Sequence, residues 1–195
     1  MHEGKVSAGA SRTGGSGIRV GIIGPSGSIS REVAEAAEAA GREVAGGGAI
    51  LLTGGRDGVM EAASRGAKTA GGLTVGILPG DSAEEGNAYL DVPITTGLGF
   101  DFRSTILVHS SDVIIMIGGA NGTFGELSTA YLNSKPVVVL ENTGGWADRL
   151  KDAAYEGCYL DERRNVKIHY AKTPEEAVKL ALLLAFSQRS KQAVV

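Results

Sequence analysis

The chain is poor in cysteine and lacks long apolar segments, and each shortage excludes a class of protein. Cys158 is the single cysteine among 195 residues, so neither an internal disulfide nor a thiolate metal cluster can form within one chain. No apolar run approaches the ~20 residues that a transmembrane helix needs. The N-terminus lacks the apolar core of a secretory signal. We therefore expect a cytoplasmic protein without a membrane partner.

An excess of positive charge is missing as well. The formal net charge is −3 and the pI is about 5.7. Proteins that bind nucleic acid usually carry a basic excess, so we expect no nucleic-acid partner. His2, His109 and His169 show no metal-ligand spacing, and we expect no metal site.

Glycine, by contrast, is abundant, with 30 of 195 residues. The glycines follow no collagen-like period, which indicates tight strand-to-helix turns or a backbone that approaches a ligand closely. Residues 1–17 are small and polar without any period, and we interpret them as a disordered N-terminal arm. Residues 18–195 have the length of a single domain with one hydrophobic core.

Short apolar runs alternate with helix-like segments from residue 18 onward. The strand-like runs are 18–24, 49–54, 73–79, 90–96, 112–119, 136–142 and 165–171. Ser28 is placed to cap the first helix, and Thr173, Pro174 and Glu176 mark the start of the last. The run 90–96 is the weakest strand, because Pro93 cannot donate a ladder hydrogen bond. This alternation predicts an α/β fold, a Rossmann-like, doubly wound and mostly parallel sheet with helices on both faces.

Ligands of such sheets bind outside the carboxyl ends of the strands, so the turns that follow strands are the candidate sites. The first of these turns is "GIIGPSGS", residues 21–28, and contains Gly24 and Ser26. Its glycine spacing resembles a dinucleotide fingerprint only loosely. Contact with phosphate or ribose and a plain tight turn explain it about equally well.

The second turn, "TGGRDG", precedes a helix. Gly54, Gly55 and Arg56 stand where free amides and a guanidinium would face an anion at the helix N-terminus. The alternative is that Asp57 caps the helix and Arg56 lies in solvent.

The stretch "SSDVIIMIGGANGTFGE", residues 110–126, holds the third turn. The strand ends in two glycines and the next helix opens on small residues, which gives five candidate phosphate contacts: Gly118, Gly119, Asn121, Gly122 and Thr123. Glu126 follows in the same helix. The alternative is a capping box, in which Thr123 and Glu126 satisfy only the backbone of the helix.

Arg103 lies early in a helix-like segment whose other face is apolar. A cation in the first turn opposes the helix dipole, and a local inconsistency of this kind points to function. An ordinary exposed arginine is the alternative interpretation.

These motifs together resemble a known group of proteins. "GGANGTFGE" resembles the P-G-G-x-G-T-x-x-E motif of the lysine-decarboxylase-like superfamily, which includes the LONELY GUY proteins, the cytokinin riboside 5′-monophosphate phosphoribohydrolases. "TGGRDGVM" is similar to the G-G-x-x-G-x-M turn of that superfamily, and "FRSTILVHSSDVIIMIGG" to its arginine-bearing helix and following strand. The resemblance spans residues 18 to about 185.

The resemblance implies a Rossmann-like fold, a homodimer, and a nucleotide site shared near the dimer interface. A tetramer is the alternative assembly. The resemblance assigns catalytic roles to Arg103 and Glu126. It assigns the phosphate turn to Gly118, Gly119, Gly122 and Thr123. No required cofactor is implied. Lysine decarboxylation needs pyridoxal phosphate on a Schiff-base lysine, and no motif lysine is placed for it.

The chain departs from the motif at three places. Ile117 replaces the proline of the motif, Ala120-Asn121 replaces an aromatic residue, and Ser104 stands where active enzymes usually have lysine. With these departures, the chain resembles a shorter branch of the superfamily, which includes molybdenum-cofactor carrier proteins.

Three functions are therefore open. One is hydrolysis of the base–ribose bond of a nucleoside 5′-monophosphate. Another is non-catalytic carriage of a molybdopterin-type cofactor or a nucleotide. The third is a structural or regulatory dimer module, which the clustering of glycines at strand ends disfavours.

Overall fold

The computed structural model describes residues 17–192. The arm predicted over residues 1–17 lies outside the described residues apart from Gly17. The strands are β1 (Arg19–Ile23), β2 (Ile50–Thr53), β3 (Thr74–Leu78), β4 (Val92–Thr95), β5 (Val113–Ile117), β6 (Val137–Leu140) and β7 (Ile168–Ala171). The α-helices are α1 (Arg31–Gly46), α2 (Val59–Thr69), α3 (Gly99–Ser110), α4 (Asn121–Leu132), α5 (Gly145–Ala153) and α6 (Pro174–Gln192).

These strands form one sheet in the order β4-β3-β2-β1-β5-β6-β7, and every neighbouring pair is parallel. The predicted α/β Rossmann-like fold is therefore confirmed, with a sheet that is parallel throughout the described chain. Strand β1 is central, and Val20 pairs with Leu51 of β2 on one side and Val113 of β5 on the other. The chain runs outward in both directions from β1, which makes the space above β1 and β5 the switch point of the topology.

Helices cover both faces of the sheet. Helices α1, α2 and α6 pack on one face, and α3, α4 and α5 pack on the other. Along β5, Val113 and Ile115 belong to the first core, whereas Ile114 and Met116 belong to the second. Burial on both sides explains why this strand is an unbroken apolar run rather than an alternating one.

Part of the glycine content serves helix packing. A Cβ added at Gly41 of α1 would overlap the carbonyl oxygen of Ala63 in α2. A Cβ added at Gly66 of α2 would overlap the carbonyl oxygen of Glu38 in α1. These two glycines let the helix backbones touch, so they reflect the fold and not a ligand.

The predicted cap of α1 is wrong by two residues. Ser30, and not Ser28, is the N-cap, and its Oγ accepts a hydrogen bond from Val33 N at 3.3 Å. The chain before Ser30 stays outside the helix, and the Gly27 amide there donates to Asp57 Oδ1 at 3.0 Å. A tertiary contact thus holds the loop that precedes the helix.

Two other sequence signals are confirmed. Strand β4 forms despite Pro93, because it lies at the edge of the sheet and pairs with β3 alone among the described strands. The Thr173 hydroxyl accepts from Glu176 N at 3.2 Å and caps α6. Within residues 17–192 no helix is long and apolar enough to span a bilayer.

A charged network joins the first strand to the last helix at the amino ends of the strands. Asp112 accepts hydrogen bonds from Arg19 N at 2.8 Å, from Arg19 Nη2 at 2.9 Å and from Arg189 Nη2 at 2.7 Å. Burial by itself would raise the pKa of Asp112, but the hydrogen bonds from Arg19 and Arg189 outweigh it and lower the pKa to about 2.

The substitution Asp112→Asn should lower the free energy of unfolding at pH 7 by roughly 1–3 kcal/mol, because both arginines lose their counter-charge. An aspartate whose folded pKa is depressed stabilises the fold above its ordinary pKa of about 3.9. The difference should therefore shrink as the pH falls toward about 2.

Urea denaturation at several pH values measures this difference. Asp152→Asn, on the exposed face of α5, is the matched control and should change little. A loss for Asp112→Asn that persisted unchanged at the acid end would contradict the role given to the carboxylate.

Candidate functional site

A cavity of about 650 Å³ lies at the carboxyl ends of β1, β2 and β5. Its walls are the turns that follow these strands, together with α3 and α4. This is the switch point of the sheet, where open α/β folds bind their ligands. The volume falls within the range of about 300–1,000 Å³ that is typical of small-molecule and cofactor sites.

The fold brings most of the predicted site residues into this cavity. The predicted residues that line it are Gly24, Ser26, Gly54, Arg56, Arg103, Asn121, Gly122, Thr123 and Glu126. Gly55, Gly118 and Gly119 do not line it. Phe100, Ser104 and Gly125, which were not predicted as site residues, also line the cavity.

Gly118 and Gly119 shape the turn that presents α4. The Gly118 amide donates to Thr143 Oγ1 at 2.8 Å. The carbonyl groups of Gly118 and Gly119 accept from Ala147 N at 3.2 Å and Trp146 N at 2.9 Å. Their positive φ angles of 62° and 117° are accessible to glycine and turn the chain toward α5. A direct phosphate contact by these two residues stays a prediction.

The first turn of α4 is open toward the cavity. The helix begins at Asn121, and its N-cap Ala120 provides no side-chain hydrogen bond. The predicted capping-box alternative is wrong, because Thr123 lies inside the helix and the Glu126 carboxylate bonds to Ser104. The first amides of a helix have no hydrogen-bond partners within the helix, so the N-terminus of α4 presents free donors and the positive end of the helix dipole.

Two glycines of α4 keep this region open. A Cβ added at Gly122 or Gly125 would meet no atom within 4 Å. Both residues line the cavity. Gly125 lies three positions after Gly122 and therefore on the same helix face, a spacing that was visible in the sequence.

Arg103 enters the cavity from α3 and is only 5% exposed. Its Nε is buried and has no hydrogen-bond partner among the described residues. Burial lowers the pKa of the guanidinium, while the charge of Glu126 opposes this shift. The exposed-arginine alternative is therefore wrong. A buried donor without an acceptor costs about 1–3 kcal/mol, which is a cost expected where a ligand supplies the acceptor.

Gly54 makes room for that guanidinium. A Cβ added at Gly54 would overlap Nη1 of Arg103. Gly55 has φ 75° and faces β3, where an added Cβ would lie 2.6 Å from Leu78 Cδ2. Gly54 thus leaves space for a side chain of the cavity, whereas Gly55 allows close packing against the sheet.

Glu126 is buried beside Arg103, with 9% of its surface exposed. Its Oε1 accepts a hydrogen bond from Ser104 Oγ at 2.8 Å. Burial raises the pKa of Glu126, and the Ser104 hydrogen bond and the Arg103 charge only partly oppose that rise. The cavity therefore contains a carboxyl group whose neutral form is favoured relative to an exposed glutamate.

Neither part of the alternative interpretation of the second turn, the Asp57 cap and the solvent-exposed Arg56, holds. Asp57 accepts from Gly27 N and does not cap α2, whose N-cap is Gly58 without a side-chain bond. Arg56 does not lie free in solvent, since its Nη1 pairs with Glu85 Oε2 at 3.0 Å. Within residues 17–192 no group of three or more His, Cys, Asp or Glu side chains is arranged to hold a metal ion.

Comparisons with known proteins agree with this architecture. A model of the SLOG cluster4 family matches residues 17–178. The X-ray structure of the structural genomics target TM1055 is 44% identical, with a TM-score of 0.81, and the match covers 85% of this chain and 99% of that one. An uncharacterized protein of Archaeoglobus fulgidus is 40% identical over 124 residues, which are 64% of this chain and 80% of its own.

Two further solved structures carry functional names. The molybdenum cofactor binding protein of Rippkaea orientalis is 36% identical, with a TM-score of 0.74, over 86% of this chain and 96% of that one. The molybdenum cofactor carrier protein of Chlamydomonas reinhardtii is 34% identical, with a TM-score of 0.72, over 86% of this chain and 97% of that one.

Gly54→Ala should destabilise the protein by about 1 kcal/mol, the low end of the cost of overpacking, because the new methyl group overlaps the ends of two flexible side chains, Arg103 and Met60. Gly125→Ala is the contrasting control. It adds the same methyl group inside α4, in open space, and should stabilise by about 0.5–1 kcal/mol through helix propensity. Urea denaturation of both variants measures the effect. Equal stability of Gly54→Ala and wild type would contradict the packing of Arg103 against Gly54.

Glu126→Gln should raise the free energy of unfolding at pH 8. A carboxyl group whose folded pKa is raised stabilises the fold at low pH, and this contribution is lost as the pH rises through the folded pKa. The advantage of the glutamine variant should therefore vanish toward pH 4, below the ordinary glutamate pKa of about 4.3. Denaturation at both pH values tests this, with the exposed Glu162→Gln as control. A glutamine variant that is less stable than wild type at pH 8 would refute it.

Proposed function

Because the chain belongs to the SLOG cluster4 family, we propose that its cavity binds a phosphate-bearing heterocyclic ligand, of the molybdopterin or nucleotide type, and holds it without breaking a bond. One observation carries this proposal. The buried Nε of Arg103 has no acceptor, and Arg103 lines the same cavity as the uncapped first turn of α4. A guanidinium with an unbonded N–H group and a helix N-terminus together are complementary to a phosphate group.

In this proposal the phosphate lies at the amides of Asn121, Gly122 and Thr123. Gly122 has no side chain that would fill the space, and Arg103 supplies a charged donor. The heterocycle occupies the remainder of the cavity, whose walls include the apolar side chains of Ile22 and Leu107. Apolar walls with a few convergent polar groups are the usual composition of a cofactor site.

The environment of Glu126 favours a carrier over a hydrolase. Cleavage of a base–ribose bond passes through an oxocarbenium-like state, which an ionised carboxylate stabilises. Burial raises the pKa of Glu126, and Ser104 occupies its Oε1. Both features make Glu126 less suited to stabilise an oxocarbenium-like state. The names of the Rippkaea orientalis and Chlamydomonas reinhardtii proteins also support a molybdenum-cofactor cargo.

Hydrolysis of a nucleoside 5′-monophosphate is the second candidate. It is favoured by the meeting of Arg103 and Glu126 at one cavity, since these are the residues to which the LONELY GUY resemblance assigns catalysis. In that case Arg103 would fix the substrate, and the ionised Glu126 would face C1′ and orient water. Assignment to the LONELY GUY enzymes themselves stays a prediction.

A homodimer remains part of the proposal. The rings of Phe100 and Phe102 are 61% and 70% exposed. Phe100 lines the cavity, so the exposed rings lie beside the site. Large exposed rings are typical of interaction surfaces, which supports a dimer in which the cavity lies near the interface.

Guanosine 5′-monophosphate (GMP) is the probe that tests this function, because guanine and pterin share an aminopyrimidinone edge. Calorimetry should show binding to wild type, a loss of about tenfold or more for Gly122→Val, and near-normal binding for Glu126→Gln. Ser128→Val, on the part of α4 that faces α5, should bind like wild type. Chromatography should detect no free guanine. Protein purified from its own host should carry a chromophoric ligand.

Two results would overturn the carrier proposal. Release of guanine by wild type, abolished in Glu126→Gln, would establish the hydrolase instead. Unchanged GMP affinity in Gly122→Val would remove the phosphate from the start of α4.

A further inference from the structure

The connection between β3 and β4 reaches the edge of the cavity. It contains a short 3-10 turn, Ala83–Glu85. Glu85 at the end of this turn pairs with Arg56, with Oε2 and Nη1 3.0 Å apart and side chains that are 36% and 37% exposed. Arg56 lines the cavity and Glu85 does not, so this ion pair lies at the edge of the cavity.

The ion pair is built into the loop. Asn87 Nδ2 donates to the carbonyl oxygens of Gly55 at 3.1 Å and Arg56 at 2.9 Å. Asn87 N donates to Gly55 O at 2.9 Å. A Cβ added at Gly80 would overlap the Glu85 carboxylate, so the glycine there gives the carboxylate its place. These contacts fix the connection to the turn that carries Arg56.

The Phe100 ring lies close to two guanidinium groups, those of Arg56 and Arg103. The guanidinium carbon of Arg56 lies 6.0 Å from the centroid of the Phe100 ring, and that of Arg103 lies 5.9 Å from it. Each distance falls within the range of a cation–π contact. The two positive charges repel, and Arg56 contributes to the lowered pKa of Arg103. One exposed ring thus holds two arginines at one wall of the cavity, and only Arg56 has a carboxylate partner in hydrogen-bond contact.

We propose that Arg56 is a second anion-binding residue of the cavity. Without ligand Arg56 pairs with Glu85, and the dianionic phosphate of a phosphate monoester replaces Glu85 as its partner. This inference rests on the proposed function, since it requires a phosphate-bearing ligand.

The charge balance of the exchange selects a monoester. Arg56 leaves a carboxylate with one negative charge, so a phosphodiester with one charge offers no electrostatic gain. A phosphate monoester carries a charge of about −1.5 to −2 at pH 7, so Arg56 gains electrostatic attraction when it exchanges Glu85 for the phosphate. The cavity is also lined by the acidic residues Asp57 and Asp101. A dianion near these groups needs a second cation beside Arg103.

The test compares the affinities of GMP and its monoanionic methyl ester. Wild type should prefer GMP by about tenfold or more. Glu85→Gln should bind GMP about two- to fivefold more tightly, the range expected for release of one exposed ion pair. The matched control is Glu84→Gln, which makes the same charge change one residue away, at a side chain that bonds to Ser82.

A double-mutant cycle separates the ion pair from a general charge effect. Arg56→Gln should weaken GMP binding by about tenfold and reduce the preference for the monoester. In the Arg56→Gln background, Glu85→Gln should have no further effect, because the two substitutions then act on one interaction.

The role of the ring has its own matched pair. Phe100→Leu should lower the preference for GMP over its methyl ester, whereas Phe186→Leu should not, because that exposed ring lies on α6, at the other face of the sheet. Both side chains lie on the surface, so neither change removes part of the core.

The outcomes are distinct. The inference is overturned if Glu85→Gln binds GMP no more tightly than Glu84→Gln, or if wild type binds both compounds equally. If wild type binds neither compound, the proposed function itself fails.

Discussion

In a parallel sheet all strands point the same way, so every connection leaves the carboxyl end of one strand and crosses a face to the amino end of another. The turns that follow the strands therefore all lie at the carboxyl edge of the sheet. This constraint governs the whole molecule. The turns after β1, β2 and β5 converge because β1 lies between β2 and β5. Residues from distant parts of the chain, such as Gly24, Gly54 and Gly122, therefore line one cavity. The helices on both faces hold the sheet rigid behind it.

Against that rigid background, the cavity retains polar groups that are buried or that lack a hydrogen-bond partner. Arg103 lacks an acceptor at Nε, Glu126 is a buried carboxyl group, and the start of α4 has no side-chain cap. Each of these features costs stability. At the opposite end of the sheet Asp112 has its hydrogen-bond donors in place and joins β1 to α6. Two buried side-chain atoms have no hydrogen-bond partner among the described residues, Arg103 Nε and Tyr170 Oη. Arg103 lines the cavity, as expected of a binding site, whereas Tyr170 lies on β7 outside it.

The glycines illustrate how one residue type serves several physical needs. Gly41 and Gly66 let two helices touch, and Gly54 leaves room for an arginine. Gly118 turns the chain at positive φ, whereas Gly122 faces open space. Their abundance was visible in the composition, but it did not separate these roles. The separation depends on what each missing Cβ would meet, and that is decided by residues from other elements.

The sequence by itself determined the strands, their burial on two sides, the cap at Thr173 and the glycine turns, because these features depend on residues near one another in the chain. It misplaced the cap of α1, since the Gly27–Asp57 contact that holds the preceding loop spans 30 residues. Only the tertiary structure decided the partners within the cavity. Glu126 bonds to Ser104, 22 residues away, and Arg56 pairs with Glu85, 29 residues away. The physical reason is that a side chain's partner, burial and pKa depend on which elements the sheet order places side by side.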